Sequence, residues 1–399
     1  MQLTTDNERR NVTNCLFMVA GERSGDVYGG ELASALRVRL PEVEIIGCGG
    51  DAMRQAGVET TVDAREFALM GIAEMITDLP RIYRAFHSLL DEIDRRKPQL
   101  AVLIDSPSLN LRLAKRLKRR DVRVVYFVSP QIWAWKKWRI KHIKARVDKM
   151  LCIFDFEEEI YKRAGVPVEY VGNPLVDLVR PRQSRQEFFA SAGLEPDIPT
   201  VALLPGSRKK EVEFNLHTML DAASRLALSR KVQFVVAVAP LLDPEWLESR
   251  IHRGYVGRAA LRTVTHSTHD ALRHADAAVI ASGTATVEAA LCETPMVVVY
   301  RVSPLTWWLG KFMVDVPFYS MVNLLAGKAV VKELIQNDFT APKVAAQVEY
   351  LLDHPEAREE MRREFRAFKP RLGPGGAIEK AADAVLRELE PARTSLQHV

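Results

Sequence analysis

The sequence predicts an α/β protein of two doubly wound parallel-sheet domains facing a cleft, followed by a helical C-terminal tail. Three observations predict it. Apolar runs of strand length alternate with helix-like stretches, and such all-apolar strands belong to a parallel sheet covered on both faces. The alternation halts and restarts near residue 180, across the charged, proline-rich stretch 179–199, which reads as a linker. From Ala341 to Leu389 the pattern is helical only, broken at "DHPEA" and "LGPGGA".

The first series of strands is "CLFMVAG", "VEIIGCGG", "QLAVLID", "VRVVYFVS" and "KMLCIF". The second is "TVALLPGS", "VQFVVAVA", "DAAVIAS" and "PMVVVYR". The predicted domains are residues 1–177 and 178–354, with the tail at 355–399. In such sheets ligands bind beyond the carboxyl ends of the strands. The chain has 399 residues, 47% of them hydrophobic, enough for two cores, and its net charge of +5 does not specify a partner. The four cysteines are far apart and read as buried free thiols. The polar start is no signal peptide, and no apolar run has transmembrane length. These features predict a cytoplasmic protein, unless something holds it to a membrane surface. There is no D-x-D and the histidines are scattered, so no metal or cofactor is expected; His266 and His269 read as surface residues of a polar loop.

Five strand ends carry polar or glycine-rich turns. In "AGERSGDVYGGEL", Gly21 and Gly25 allow a tight turn, Ser24 and Asp26 suit helix capping, and Glu22 and Ser24 are placed to face the cleft. In "LIDSP", Asp105 ends an apolar strand as a candidate general base, with an N-cap as the alternative. Trp133, Trp135 and Trp138 lie among Lys136, Lys137, Arg139, Lys141, Lys144 and Arg146, suited to stacking a sugar, meeting an anionic membrane, or simply forming a solvated helix face. No recognised nucleic-acid module surrounds them. Gly206, Ser207 and Arg208 in "LLPGSR", and Ser282, Gly283 and Thr284 in "SGTATVE", open two helices whose starts suit phosphates. Glu288 follows Thr284 by one helical turn, placed to accept the two hydroxyls of a ribose.

The ordered stretches "GERSGD", "MGIAEM", "LIDSP", "SPQIWAW", "GNPLVD", "LLPGSR", "SGTATVE", "PMVVVYR" and "NLLAGKAVVKELIQ" make the sequence similar to the lipid-A-disaccharide synthases, a GT-B glycosyltransferase family. The resemblance implies two Rossmann-like domains, an N-terminal acceptor and membrane-facing one and a C-terminal UDP-sugar one. It implies that UDP-2,3-diacylglucosamine donates its sugar to the 6-hydroxyl of 2,3-diacylglucosamine 1-phosphate. A β-1,6 disaccharide and UDP result, with inversion and without a cofactor. Asp105 matches the base, Arg208 a diphosphate ligand, Glu288 the ribose ligand, and Asn323 lies in a loop near the donor. Glu22, Ser24, Gly25, Asp26 and Trp133 would line the sugar cleft. The family more often has alanine at Arg23 and an acid at Ser108. It also implies a homodimer exchanging C-terminal segments, so the tail would pack on an N-terminal domain, its own or its partner's. Both substrates carry acyl chains, so Phe67, Leu69, Met70, Ile72, Met75 and Ile76 are expected to meet inner-membrane lipids, making the protein peripheral on the inner face. Pro80 would separate this cluster from a core-facing helix. The rival is a UDP-N-acetylglucosamine 2-epimerase-like isomerase, which shares the fold and the UDP site.

Overall fold

The computed structural model describes residues 15–67, 72–133, 138–240, 242–304, 307–308 and 317–396. The chain divides into two compact units. The first runs to Pro174 and resumes at Gly373; the second is Leu175–Leu372.

The first unit is built on a parallel sheet in the order β3-β2-β1-β4-β5-β6-β7. Its strands are β1 Cys15–Ala20, β2 Glu44–Gly49, β3 Glu59–Asp63, β4 Leu100–Ile104, β5 Arg123–Phe127, β6 Lys149–Cys152 and β7 Val168–Tyr170. The second carries a parallel sheet in the order β10-β9-β8-β11-β12-β13. These strands are β8 Thr200–Leu204, β9 Gln233–Val238, β10 Leu261–Thr265, β11 Ala277–Ala281, β12 Met296–Tyr300 and β13 Lys332–Ile335. The all-apolar runs became the inner strands: every residue of β1, β4, β8 and β11 is buried. The strands absent from the sequence reading are β3, β7, β10 and β13, the four sheet edges. An edge strand is paired on one side only, and these are polar and partly exposed, so they lack the apolar signature.

The stretch 179–199 is not a linker. It holds the helix Arg185–Ala192, opened by a capping box between Ser184 and Glu187 and closed at Gly193, with Phe188 and Phe189 buried. Asp270 accepts hydrogen bonds from the Arg182 and Gln183 backbone N–H groups, which ties the stretch to the second unit. The surrounding charge concealed that aromatic anchor.

The helices after residue 340 also divide differently. Ala341–Asp353 and Pro355–Phe368 both belong to the second unit. Phe365 and Phe368 are buried, and Arg366 pairs with Glu293 at 2.9 Å. The chain leaves this unit through Gly373, Gly375 and Gly376, with φ of 101°, 96° and 70°, which only glycine adopts readily. The helix Ala377–Leu396 then packs on the helix Arg23–Arg39 of the same chain. Ala377, Ala381, Ala382, Val385 and Leu389 are buried, and Arg39 pairs with Glu379 and Asp383. Pro80 does not end a helix either, because Ile72–Arg96 is continuous through it.

Candidate active site

In the first unit, Ala20 pairs with Ile104 and Ile104 with Phe127, so Gly21, Asp105 and Val128 stand side by side just past the strand ends. Asp105, Ser106 and Val128 have φ of 50°, 43° and 64°. A β-branched residue there is an outlier, and each such residue costs about 1–3 kcal/mol. Buried hydrogen bonds hold the conformation. The Asp105 N–H donates to the Phe127 carbonyl at 2.9 Å. Its own carbonyl accepts from Asn110 Nδ2 at 2.8 Å and from the Tyr126 hydroxyl. Asn110 and Tyr126 are wholly buried. With its backbone pinned, Asp105 is left half-buried just beyond β4. It is not the cap of the next helix: Ser106 occupies that position.

Burial first, and then the Asp105 charge, push the Tyr126 phenol well above its ordinary range, so it remains a donor. Arg139, expected on a solvated face, is buried instead. Its pKa is lowered by that burial and opposed by the nearby Tyr126.

Glu22 is the exposed N-cap residue of the helix Arg23–Arg39, and its side chain does not cap that helix. Ser24 is half-buried, and Gly25 is buried close to the Ile104 carbonyl. Asp26 does not cap its own helix. Buried, it accepts from the N–H groups of Gly50, Ala52 and Met53, at 2.6, 3.1 and 3.2 Å, and so caps Asp51–Gln55.

Trp133 is anchored within its unit. Its indole donates to Glu157 Oε1 at 3.1 Å and its ring meets Phe156 edge-on. Glu157, absent from the sequence reading, is buried and also accepts from Ser129 Oγ at 2.7 Å and the Phe154 N–H at 3.2 Å. Burial pushes its carboxyl up to about 7. The only sequence signal was an acid at the third position of a helix, where capping-box acids sit. Phe67 packs against the core cluster of this unit. Leu69 and Met70 lie outside the described residues, as do Trp135, Lys136 and Lys137 and the side chains of Ile72, Met75 and Ile76.

In the second unit, "LLPGSR" does end β8 and open the helix Lys209–Ser229, with Arg208 as N-cap residue. The turn is folded around Glu211. Its carboxylate accepts from the Ser207 N–H at 2.9 Å and lies 3.5 Å from the Arg208 guanidinium. Gly206 has φ 137°, and a Cβ there would stand 2.6 Å from the Glu211 Cβ. Glu211 too escaped the sequence reading, although an acid three residues after the N-cap is capping-box spacing.

At the end of β11, Gly283 and Thr284 are exposed and open the short helix Ala285–Leu291. The Ser282 hydroxyl donates to the Tyr319 carbonyl at 2.8 Å. Glu288 lies one turn in, as expected, and pairs with His269 at 3.1 Å. His269 is therefore no loop residue: it sits on the helix Thr268–His274 with its ring on a candidate ligand. Asn323 lies not in a loop but on the helix Met321–Ala326. It is buried, its Nδ2 donates to Val331 O and Glu333, and its Oδ1 accepts from the Val330 and Val331 N–H groups. All its hydrogen-bonding capacity is spent inside the unit, which makes it a clasp for residues 320–333.

Two doubly wound parallel sheets with polar turns at their carboxyl ends define the architecture of the GT-B glycosyltransferases. Solved structures with this fold include a putative UDP-N-acetylglucosamine 2-epimerase from Listeria monocytogenes, with TM-score 0.67 and 13% identity over 95% of this chain and 97% of that one. Another is the calicheamicin glycosyltransferase CalG4, with TM-score 0.59 and 17% identity over 95% and 99%. At such identities they establish the fold alone. The sequence comparisons are more specific. Residues 16–381 match the family model described as lipid-A-disaccharide synthetase. Lipid-A-disaccharide synthases of Myxococcus xanthus and Koribacter versatilis are each 44% identical, the first over 95% of this chain and 98% of its own length, the second over 94% and 97%. The chain belongs to the lipid-A-disaccharide synthase family and is a hexosyltransferase of lipid A biosynthesis.

Proposed function

We propose that the chain transfers the sugar of UDP-2,3-diacylglucosamine to the 6-hydroxyl of 2,3-diacylglucosamine 1-phosphate, with Asp105 as general base. The observation that carries the base assignment is the locked, positive-φ backbone of Asp105 beyond β4. The carboxylate takes the proton of the acceptor hydroxyl, whose oxygen bonds to the anomeric carbon. The bond from that carbon to the diphosphate breaks, and its electron pair leaves with UDP. One displacement inverts the centre. Arg208, with the start of Lys209–Ser229, meets the charge that grows on the diphosphate. Glu288 takes the ribose hydroxyls. Seating a phosphate on the Ser207 N–H requires Glu211 to release it.

The purified protein, given donor and acceptor, should yield disaccharide and UDP, with EDTA of little effect. Conversion of UDP-N-acetylglucosamine to its 2-epimer with no disaccharide would replace this reading with the isomerase.

The acyl chains of both substrates argue for a peripheral place on the inner face of the inner membrane. Among the described residues no helix is long and apolar enough to cross a bilayer. Leu79 and Tyr83, 54% and 64% exposed, extend the predicted apolar cluster along Ile72–Arg96, with Arg81 and Arg84 beside them. Serine at Leu79 and Tyr83 should shift the protein from the vesicle pellet to the supernatant with UDP binding retained. A homodimer exchanging the helix Ala377–Leu396 would keep the contacts that this helix makes within one chain.

A further inference from the structure

The peptide groups on either side of the Asp105 Cα are both clamped. The one before it is held at each end: the Ile104 carbonyl accepts from Asn110 Nδ2 at 2.9 Å, and the Asp105 N–H donates to the Phe127 carbonyl at 2.9 Å. The one after it is held at its carbonyl, which accepts from Asn110 Nδ2 at 2.8 Å and from the Tyr126 hydroxyl. Peptide groups are planar, so two fixed planes leave the Cα–Cβ bond between them a single direction. It is a direction the chain does not favour, since Asp105 and Ser106 stand at φ 50° and 43°. Tyr126 is the one polar residue among the four buried positions of β5, beside Val124, Val125 and Phe127, and it lies in the apolar core of the unit. A phenylalanine would fill that place and bury no hydroxyl, so packing does not call for the phenol; the Asp105 carbonyl does. Burial keeps the phenol protonated, so the bond persists as pH rises through the ordinary working range.

We propose that Tyr126 and Asn110 are positioning residues for the transfer: together they aim the Asp105 carboxylate, one from β5 and the other from the helix Pro107–Lys118. The inference rests on the reading of Asp105 as general base. Both residues are wholly buried, so they act through the Asp105 backbone rather than on a substrate. Losing one of the two bonds on the Asp105 carbonyl lets the strained turn relax, and any change in φ at Asp105 swings its Cβ with it. A misplacement of about 1 Å in a reacting group can lower the rate about 10²-fold.

The test measures initial rates of the full-length protein, per folded molecule, with UDP-diacylglucosamine and diacylglucosamine 1-phosphate. The variants are Tyr126→Phe, Asp105→Asn and the two combined. Tyr126→Phe should keep the wild-type circular dichroism, because Asn110 still serves the carbonyl. Its kcat should fall about 10-fold while KM for donor and acceptor stays in place, as for a group that matters only in the transition state. In the Asp105→Asn background the same change should move kcat less than about twofold, because no base is left to aim. Asn110→Ala, which removes the other bond on that carbonyl, should act in the same direction, and it decides the matter alone if Tyr126→Phe does not fold. Wild-type kcat in Tyr126→Phe, a rise in KM in place of the fall in kcat, or an equal loss in both backgrounds overturns the positioning role and leaves the base in place. A near-normal kcat in Asp105→Asn overturns the base, and the positioning role with it.

Discussion

The turns after the inner strands β4 and β5 of the first sheet and β8 and β11 of the second are built on opposite plans. In the first unit the turns after β4 and β5 place side-chain-bearing residues, Asp105, Ser106 and Val128, at positive φ, with Asp105 held by hydrogen bonds from the buried Asn110 and Tyr126 and Val128 by its N–H to the Leu151 carbonyl. In the second, the turns after β8 and β11 run through Gly206 and Gly283 and end in the exposed side chains of Arg208 and Thr284. A general base must meet one proton at one distance, so fixed placement is worth backbone strain. A diphosphate is gripped by backbone N–H groups and a long, adaptable cation, for which close approach matters more than a locked side chain.

The contrast breaks first at Asp105. Asp105→Asn keeps the bonds to its backbone and an amide tolerant of positive φ, but removes the proposed base. Its kcat should fall ~10²–10⁴-fold with the fold intact. A kcat near normal would make the strained turn a structural feature.

Asn323→Ala sharpens the second half. It strands the Val331 N–H and leaves the Val330 N–H only its bond to the Lys328 carbonyl, and urea unfolding should show a loss of about 1–3 kcal/mol. UDP affinity of the folded protein should hardly change. A large loss of affinity at unchanged stability would return Asn323 to the donor site.

Glu157 links the first half to pH. Its folded pKa of about 7 lies above its usual 4.5, so the folded chain holds this proton more tightly than the unfolded one. The contribution is complete below about 4.5, declines as pH rises, and is gone above about 7. The full span is about 3 kcal/mol, an order-of-magnitude figure. Relative to Glu157→Gln, the wild type should lose stability across that window, and parallel stability–pH curves would show that the carboxylate stays ionised.

The smallest effect belongs to His269→Ala. A partly exposed pair is worth about 0.2–1 kcal/mol, so the UDP Kd should move less than about fivefold. A larger shift would make His269 a direct ligand.

The inner strands were legible because a strand buried on both faces must be apolar throughout, and "CLFMVAG" or "TVALLPGS" admits little else. The positions of Arg208 and Asp105 just past their strands, and of Glu288 one turn into the next helix, were legible for a related reason: polar turns follow such strands where doubly wound sheets bind ligands. The edges β3, β7, β10 and β13 were not, since one-sided pairing leaves no uniform pattern. Nor did sequence distance reveal that Asp26 would serve a helix that begins 25 residues later, that Asn323 would spend its amide on Val330, Val331 and Glu333, or that Glu157 would gather Ser129 and Trp133. Each depends on which donors the packed chain brings within hydrogen-bond reach, and burial then makes satisfying them obligatory. Periodicity is a local property and is written along the chain; the partners of a buried polar group are chosen by folding, because only close packing excludes the water that would otherwise serve them.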